Sequence, residues 1–163
     1  LKTREADIAI RNFQPTEPDL FARKLGDREA HLYATPKYLR TLGARVTREA
    51  LSRATFVGFD RADTFRLGLN AALGLSLTKA NFPLLSTTQS VQWALVREGA
   101  CIGITMSDVG DADPSVRRVM KELPGIPIPM WLVTHRDVKT SRRVRVVADF
   151  LAKALTTPAR PAA

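Results

Sequence analysis

A short polar and aromatic segment directly follows the first apolar run of the sequence. The run 8–10 reads Ile-Ala-Ile, and Arg11, Asn12 and Phe13 come immediately after it. Arginine can pair with a carboxylate through two parallel hydrogen bonds, and phenylalanine can stack on an aromatic ring. Ligands of open α/β sheets lie outside the carboxyl ends of the strands. If the run 8–10 is a strand, we therefore expect these three side chains to contact a ligand.

Hydroxyl side chains form a second candidate. Residues 86–89 read Ser-Thr-Thr-Gln, the pattern of a helix capping box, which places Thr87 and Thr88 at the start of a predicted helix. The free backbone N–H groups and the dipole at a helix start favour an anion. Capping alone also explains hydroxyls at this position, so both interpretations stay open. Thr105 follows the predicted strand 100–104, where the strand-end rule applies again.

Catalytic and metal-binding motifs are missing from the sequence. It contains no Gly-x-Ser-x-Gly nucleophile elbow, no His-Glu-x-x-His zinc motif, and neither of the glycine-rich loops that bind phosphates or dinucleotides. The single cysteine, Cys101, cannot form an internal disulfide, and together with the distant His31 and His135 it cannot build a structural zinc site. We expect all three to be structural or surface residues. The sequence thus predicts no enzyme, no metal and no cofactor.

Strand and helix patterns alternate along the chain, which predicts an α/β fold with mixed, largely parallel sheets. Two extended segments, 20–25 and 30–34, are expected on either side of a turn at residues 26–27. Thr35 is expected to cap a short helix that begins at Pro36 and ends at Gly43.

Later in the chain, two further helices are predicted. One begins after Ser141. The other begins at Asp113 and Pro114 and turns its apolar side chains inward. The inward side chains of that helix are Val116, Val119, Met120 and Leu123.

The 163 residues are about one domain's worth of chain, and they carry 25 basic and 16 acidic side chains for a net charge of +9. The basic excess is spread along the whole sequence. It is compatible with a solvated surface, with steering of small anions, or with nucleic-acid binding, which would depend steeply on salt. No apolar run approaches the roughly 20 residues that a membrane-spanning helix needs, and the first residues given do not show the pattern of a signal peptide. We expect residues 156–163 to be a disordered tail.

Four motifs resemble those of the effector-binding domain of LysR-type transcriptional regulators, and they occur in the order in which that family has them. The resemblance covers roughly residues 3–155. Cys101 stands where the family commonly has glycine, and Met106-Ser107 replaces a frequent Leu-Pro. The motifs are residues 6–11 (ADIAIR), 32–39 (LYATPKYL), 96–104 (VREGACIGI) and 135–151 (HRDVKTSRRVRVVADFL).

The resemblance implies two α/β subdomains of periplasmic-binding-protein type. Residues 1–34 and 128–155 would belong to effector-binding subdomain I, which would be incomplete because its first strand and helix precede this sequence. Residues 35–127 would form subdomain II. The effector would lie in the cleft between them. The side chains expected to contact it are Arg11, Asn12 and Phe13 from subdomain I and Thr87, Thr88 and Thr105 from subdomain II.

The function implied is small-molecule sensing and dimerisation in a cytoplasmic bacterial transcription regulator. A small anionic or carboxylate effector is expected, together with self-association as a dimer or tetramer and no membrane partner. DNA would be bound by an N-terminal winged helix-turn-helix that is absent from this sequence. The alternative is a solute-binding protein of a transporter, which shares the fold class and would be exported. Direct nucleic-acid binding by this segment and an enzyme follow as less favoured hypotheses.

Overall fold

The computed structural model describes residues 6–59, 63–138 and 141–156, in which strands and helices alternate along the chain. They form two units. Unit 1 comprises Leu1–Arg28 and Pro127–Ala163, and unit 2 comprises Glu29–Ile126. The alternation confirms the predicted α/β class. Of the predicted tail 156–163, only Thr156 is described, as the last residue of a helix, and the rest lies outside the described residues.

The strands of the described residues include two long ones and five short ones. In chain order they are β1 (Ile8–Arg11), β2 (Leu20–Ala34), β3 (Val57–Gly58), β4 (Leu84–Leu85), β5 (Gly103–Met106), β6 (Arg117–Arg118) and β7 (Ile126–His135).

The α-helices range from single turns to four turns. In chain order they are α1 (Pro36–Thr41), α2 (Arg48–Leu51), α3 (Asp63–Leu73), α4 (Gln89–Arg97), α5 (Ser107–Gly110) and α6 (Arg142–Thr156).

Unit 1 is built on antiparallel pairing of β1 with β7, in which Arg11 lies opposite Trp131. Strand β7 neighbours β2 on its other side. Leu132 and Val133 are buried, as expected for the middle strand of three. The guanidinium of Arg28 donates a 2.7 Å hydrogen bond to the Leu155 carbonyl, which places a cation at the negative end of α6.

Unit 2 carries the larger core. Its end of β2 pairs antiparallel with β5 and β6. Parallel pairing among the described residues is limited to β3 with β4 and to a single bridge between Phe56 and Ile102. The sheets are mixed as predicted, but β2 pairs antiparallel with β5 and β6, and β7 pairs antiparallel with β1, so the expectation of largely parallel sheets is wrong. Alternation of helices with strands does not by itself fix strand direction, because β2 and β7 each follow an irregular segment rather than a helix.

Local signals set the helix ends. The Thr35 hydroxyl accepts a hydrogen bond from the Tyr38 N–H at the start of α1, and Gly43 follows the helix with a positive φ of 123°. Gly74 ends α3 in the same way with φ 61°. These helix limits follow from sequence because capping and left-handed backbone are local preferences.

The predicted turn at residues 26–27 is not formed. Leu20–Ala34 is one continuous strand of 15 residues. Gly26 lies within it with φ 132°, a conformation that glycine adopts without steric cost. A glycine inside a strand can therefore mark a local distortion instead of an end.

The predicted helix from Asp113 is also not formed. Val116, Val119 and Leu123 are buried as expected, but the segment is irregular except for β6. The Val119 N–H donates to the Leu32 carbonyl at 2.8 Å, and Met120 has a positive φ of 50°. The apolar spacing of this segment is compatible with a helix, but its pairing with β2 decides the structure that forms.

Candidate functional site

The predicted ligand-binding arginine of unit 1 is already held by a carboxylate. Arg11 ends β1, and its Nη1 lies 3.2 Å and 3.4 Å from the two carboxylate oxygens of Glu17. Only 18% of the Arg11 side chain is exposed. The Glu17 backbone N–H and then Arg11 hold the pKa of the Glu17 carboxyl below its usual value. Arg11 is thus oriented by an ion pair that leaves its Nε–H and Nη2 groups free of described partners.

Phe13 lies beside the Arg11 guanidinium and is largely exposed to solvent. The Arg11 guanidinium carbon lies 5.4 Å from the centroid of the Phe13 ring, within cation–π range, and 59% of Phe13 is exposed. Asn12 is also exposed. The structure therefore brings Arg11, Asn12 and Phe13 together at the carboxyl end of one strand. They offer a charge, an amide and an aromatic face.

The hydroxyl-bearing side chains predicted as a ligand site in unit 2 lie at the start of α4, but the predicted capping box is not formed. The helix begins at Gln89 with Thr88 as the N-cap residue, and the Thr88 hydroxyl makes no capping hydrogen bond. The Ser86 hydroxyl instead accepts from the Thr88 N–H at 3.1 Å, which makes a tight turn before the helix. Thr87 and Thr88 are both exposed. Their hydroxyls are therefore available to a ligand rather than used by the helix.

A buried glutamine positions this turn. Gln92 is 2% exposed, and its Nε2 donates to the Ser86 carbonyl at 2.5 Å. The same nitrogen lies 3.4 Å from the Gly58 carbonyl at the end of β3. Gln92 is not among the site residues that the sequence predicted. A polar residue on the inner side of a helix is the signal that could have found it, because buried amides need partners.

Thr105 comes close to the same helix start. The Gln89 Nε2 donates to the carbonyl of Ile104, the residue before Thr105, at 3.3 Å. Helix α4 also packs against β5. Within unit 2 the structure therefore places Thr88 and Thr105 on neighbouring elements. Thr105 lies inside β5, so the prediction that it directly follows the strand is wrong.

His31 lies next to Thr105, and the sequence predicted it to be a structural or surface residue. It lies directly opposite Thr105 in the antiparallel pair of β2 and β5, so the two side chains share one face of the sheet. The His31 side chain is 10% exposed, and its Nε2 has no hydrogen-bond partner among the described residues. The Glu29 carboxylate lies 3.5 Å from this nitrogen. A buried polar atom left unpaired is unusual, and it makes His31 a further candidate for ligand contact.

Cys101 and His135 take structural positions. Burial raises the pKa of the Cys101 thiol to about 11, and the side chain packs in a core cluster with Val96 and Val116. His135 ends β7, with its Nδ1 3.2 Å from the Asp137 carboxylate.

Within the described residues, no three histidine, cysteine or acidic side chains are grouped in a way that could hold a metal ion. None of the helices in those same ranges has the length and apolar character needed to cross a bilayer.

Comparison with known proteins gives one family and a set of related folds. The family model described as the LysR substrate binding domain matches residues 1–156 of this chain. No curated protein sequence matches it. Among solved structures, the regulatory domain of CrgA, a LysR-type transcriptional regulator from Neisseria meningitidis, is similar with a TM-score of 0.78 and 24% identity. That similarity covers 95% of this chain and 78% of the CrgA domain.

Two further structures extend the comparison. A second structure of CrgA aligns with a TM-score of 0.77 and 23% identity over 96% of this chain, which spans 55% of that CrgA chain. The effector domain of the transcriptional regulator AmpR from Pseudomonas aeruginosa has a TM-score of 0.72 and 18% identity. Its alignment covers 94% of this chain and 74% of the AmpR domain. At these identities the similarity shows a shared α/β fold, the one predicted from the sequence.

Proposed function

Because the chain belongs to the LysR substrate-binding-domain family, we propose that it senses a small anionic effector for a transcription regulator. The observation that carries this function is the family match over residues 1–156. Binding, not conversion, is the proposed chemistry, because the candidate site offers donors and hydroxyls but no nucleophile paired with a base. The family favours a regulator over the solute-binding protein of a transporter.

The effector contacts are proposed on both units. On unit 1 they are Arg11, Asn12 and Phe13, and on unit 2 they are the residues Thr87, Thr88 and Thr105. Support comes from the oriented Arg11 guanidinium and from hydroxyls that the α4 start leaves unused. The helix dipole and the net charge of +9 both favour an anion. A carboxylate ligand fits this combination.

Regulation would follow from differential affinity. An effector that binds one conformation of the protein more tightly than another shifts the population toward that conformation. The chain spans 55% of the longer CrgA structure, so DNA binding is proposed for a part of the regulator outside this sequence. Residues 1–34 with 128–155 and residues 35–127 are proposed as subdomains I and II. Self-association as a dimer or tetramer and a cytoplasmic location complete the proposal.

Calorimetric titration with small carboxylates tests the site. The probes are benzoate, salicylate, succinate and glutamate, each titrated into the wild-type chain and into Arg11→Ala. Arg53→Ala is a matched control, because Arg53 is an exposed arginine of unit 2 outside the proposed site. Loss of a charged hydrogen bond costs about 1.5–3 kcal/mol, so Arg11→Ala should weaken binding by about tenfold or more.

The outcomes separate clearly. Weakening by Arg11→Ala with unchanged affinity in Arg53→Ala supports the assignment. Absence of binding by all four carboxylates contradicts an anionic effector of this class. Equal affinities of the two variants would show that Arg11 is not part of the site.

A further inference from the structure

Unit 2 contains a second polar cluster, separate from the residues assigned above. The Tyr33 hydroxyl donates to the Asp111 carboxylate at 2.9 Å, and the Arg118 Nε donates to the same oxygen at 2.8 Å. Arg118 Nη2 pairs with the other oxygen, which completes a two-point ion pair. Burial and the neighbouring Asp111 raise the pKa of Tyr33 to about 12, so it stays a neutral donor. The two formal charges of the cluster, on Asp111 and Arg118, cancel.

A pocket of about 470 Å³ opens on this cluster. That volume lies within the usual range for small-molecule sites, about 300–1,000 Å³. Besides the cluster residues, Gly110, Val116, Arg117 and Lys121 line it. Because Asp111 is neutralised by Arg118, the pocket carries the two positive charges of Arg117 and Lys121.

The two remaining cations are free to bind a ligand. Arg117 Nη1 donates to the carbonyls of Pro114 and Val116 at 2.9 Å and 2.6 Å, which fixes the guanidinium plane. Its Nε–H and Nη2 groups have no partner within residues 6–59, 63–138 and 141–156. The Lys121 ammonium is likewise unpaired in those ranges. Both side chains are exposed, so a ligand can reach them without displacing a protein group.

We infer that the pocket lined by Arg117, Arg118 and Lys121 is a second binding site, selective for a compact dianion such as a phosphate group or a dicarboxylate. Two uncompensated positive charges match two negative ones. A fixed guanidinium fork presents paired N–H groups to planar or tetrahedral oxyanions. The ligand's remaining bulk would lie over Gly110 and Val116, where no side chain charge opposes it. This site needs neither the proposed effector residues nor the proposed regulatory function.

Nuclear magnetic resonance titration of the full chain tests the site with inorganic phosphate and succinate as dianions and acetate as a monoanion. Saturable shifts are expected at the amides of residues 110–111 and 117–121. Acetate should bind at least about tenfold more weakly, since it can satisfy only one of the two cations. Phosphate and succinate as separate probes show whether the site prefers the tetrahedral or the planar oxyanion.

A matched pair of double variants controls for general charge. Arg117→Ala with Lys121→Ala removes both free cations of the pocket. Lys37→Ala with Arg40→Ala removes the same charge from exposed positions of α1 in the same unit. The first pair should weaken dianion binding at least about tenfold, and the second should change it less than about threefold. Lys121→Gln, a single change on an exposed side chain, gives the same test if the double variant does not fold.

Three results would overturn the inference. They are no saturable shift with either dianion, equal affinities of the two double variants, or shifts confined to residues 11–13 and 87–89. The last result would leave the proposed effector site intact and remove only the second one. Conversely, dianion shifts at residues 117–121 support the second site even if no carboxylate binds near Arg11.

Discussion

Gly110→Ala should destabilise the protein by at least about 2 kcal/mol, because the added methyl group would collide with the Tyr33 ring. A Cβ added at Gly110 would lie 2.2 Å from Tyr33 Cζ and within 2.5 Å of both neighbouring ring carbons. The Tyr33 ring is fully buried, packs edge-on against Trp93 with centroids 6.0 Å apart, and is tied to Asp111 through its hydroxyl. It therefore cannot move aside without losing contacts on another side.

The magnitude follows from two costs. Overpacking a core position costs about 1–3 kcal/mol. Displacement of the ring also strains the Tyr33–Asp111 hydrogen bond, and because Asp111 is half-exposed this adds the net contribution of an ordinary hydrogen bond, about 0.5–1.5 kcal/mol. For a chain of this length, each kcal/mol lowers the melting temperature by about 2–4 °C. Thermal unfolding followed by circular dichroism should therefore show a decrease of at least about 4–8 °C.

Gly68→Ala provides a control, because the same substitution should raise the stability at this position instead of lowering it. Gly68 lies inside α3, and an added Cβ there meets no atom within 4 Å. Alanine should stabilise this exposed helix position by about 0.5–1 kcal/mol. If Gly110→Ala melts at or above the wild-type temperature, the packing of α5 on Tyr33 described above is wrong.

Three further predictions concern charged and reactive groups. Glu17→Gln removes the negative charge that competes for Arg11, so calorimetry should show up to about fivefold tighter binding of a carboxylate effector, whereas weaker binding would mean that the orientation Glu17 gives the guanidinium outweighs the charge it neutralises. Hydrogen bonding from Arg118 holds the pKa of Asp111 below its usual value, so this group stabilises the fold above about pH 4 and its contribution is lost as pH falls through the lowered pKa. Urea unfolding of Asp111→Asn should show a loss of about 1 kcal/mol or less at neutral pH and none in strong acid, and a constant loss at all pH values would rule out this linkage. The buried Cys101 thiol, with its pKa raised to about 11, should not react with a disulfide reagent in the native protein but should react fully in guanidinium chloride.

Local features of the fold could be predicted from the sequence. The Thr35–Pro36 start and the Gly43 end of α1 depend on capping and backbone preferences that act within a few residues. The start of α4 close to Thr88 also followed, because hydroxyl side chains that precede a helical apolar pattern are a local signal.

Features that depend on distant partners could not be predicted. The segment with Val116, Val119 and Leu123 has helical spacing, yet it pairs with β2 because strand partners far along the chain satisfy its backbone. Similarly, nothing local shows that Arg11 is held by Glu17, since this needs the chain to turn back after β1. Side-chain pairing across a turn or a sheet is decided by tertiary structure.

Hydrogen–deuterium exchange with and without a bound carboxylate tests the central proposal most directly. If this chain senses an effector through residues of both units, a single ligand should slow exchange at residues 11–13 and at residues 87–89 together, with Thr105 protected in the same experiment. The segment 37–42 of α1 should exchange at an unchanged rate and serves as the internal reference. Protection of only one of the two segments, or of neither, would contradict the proposed effector site.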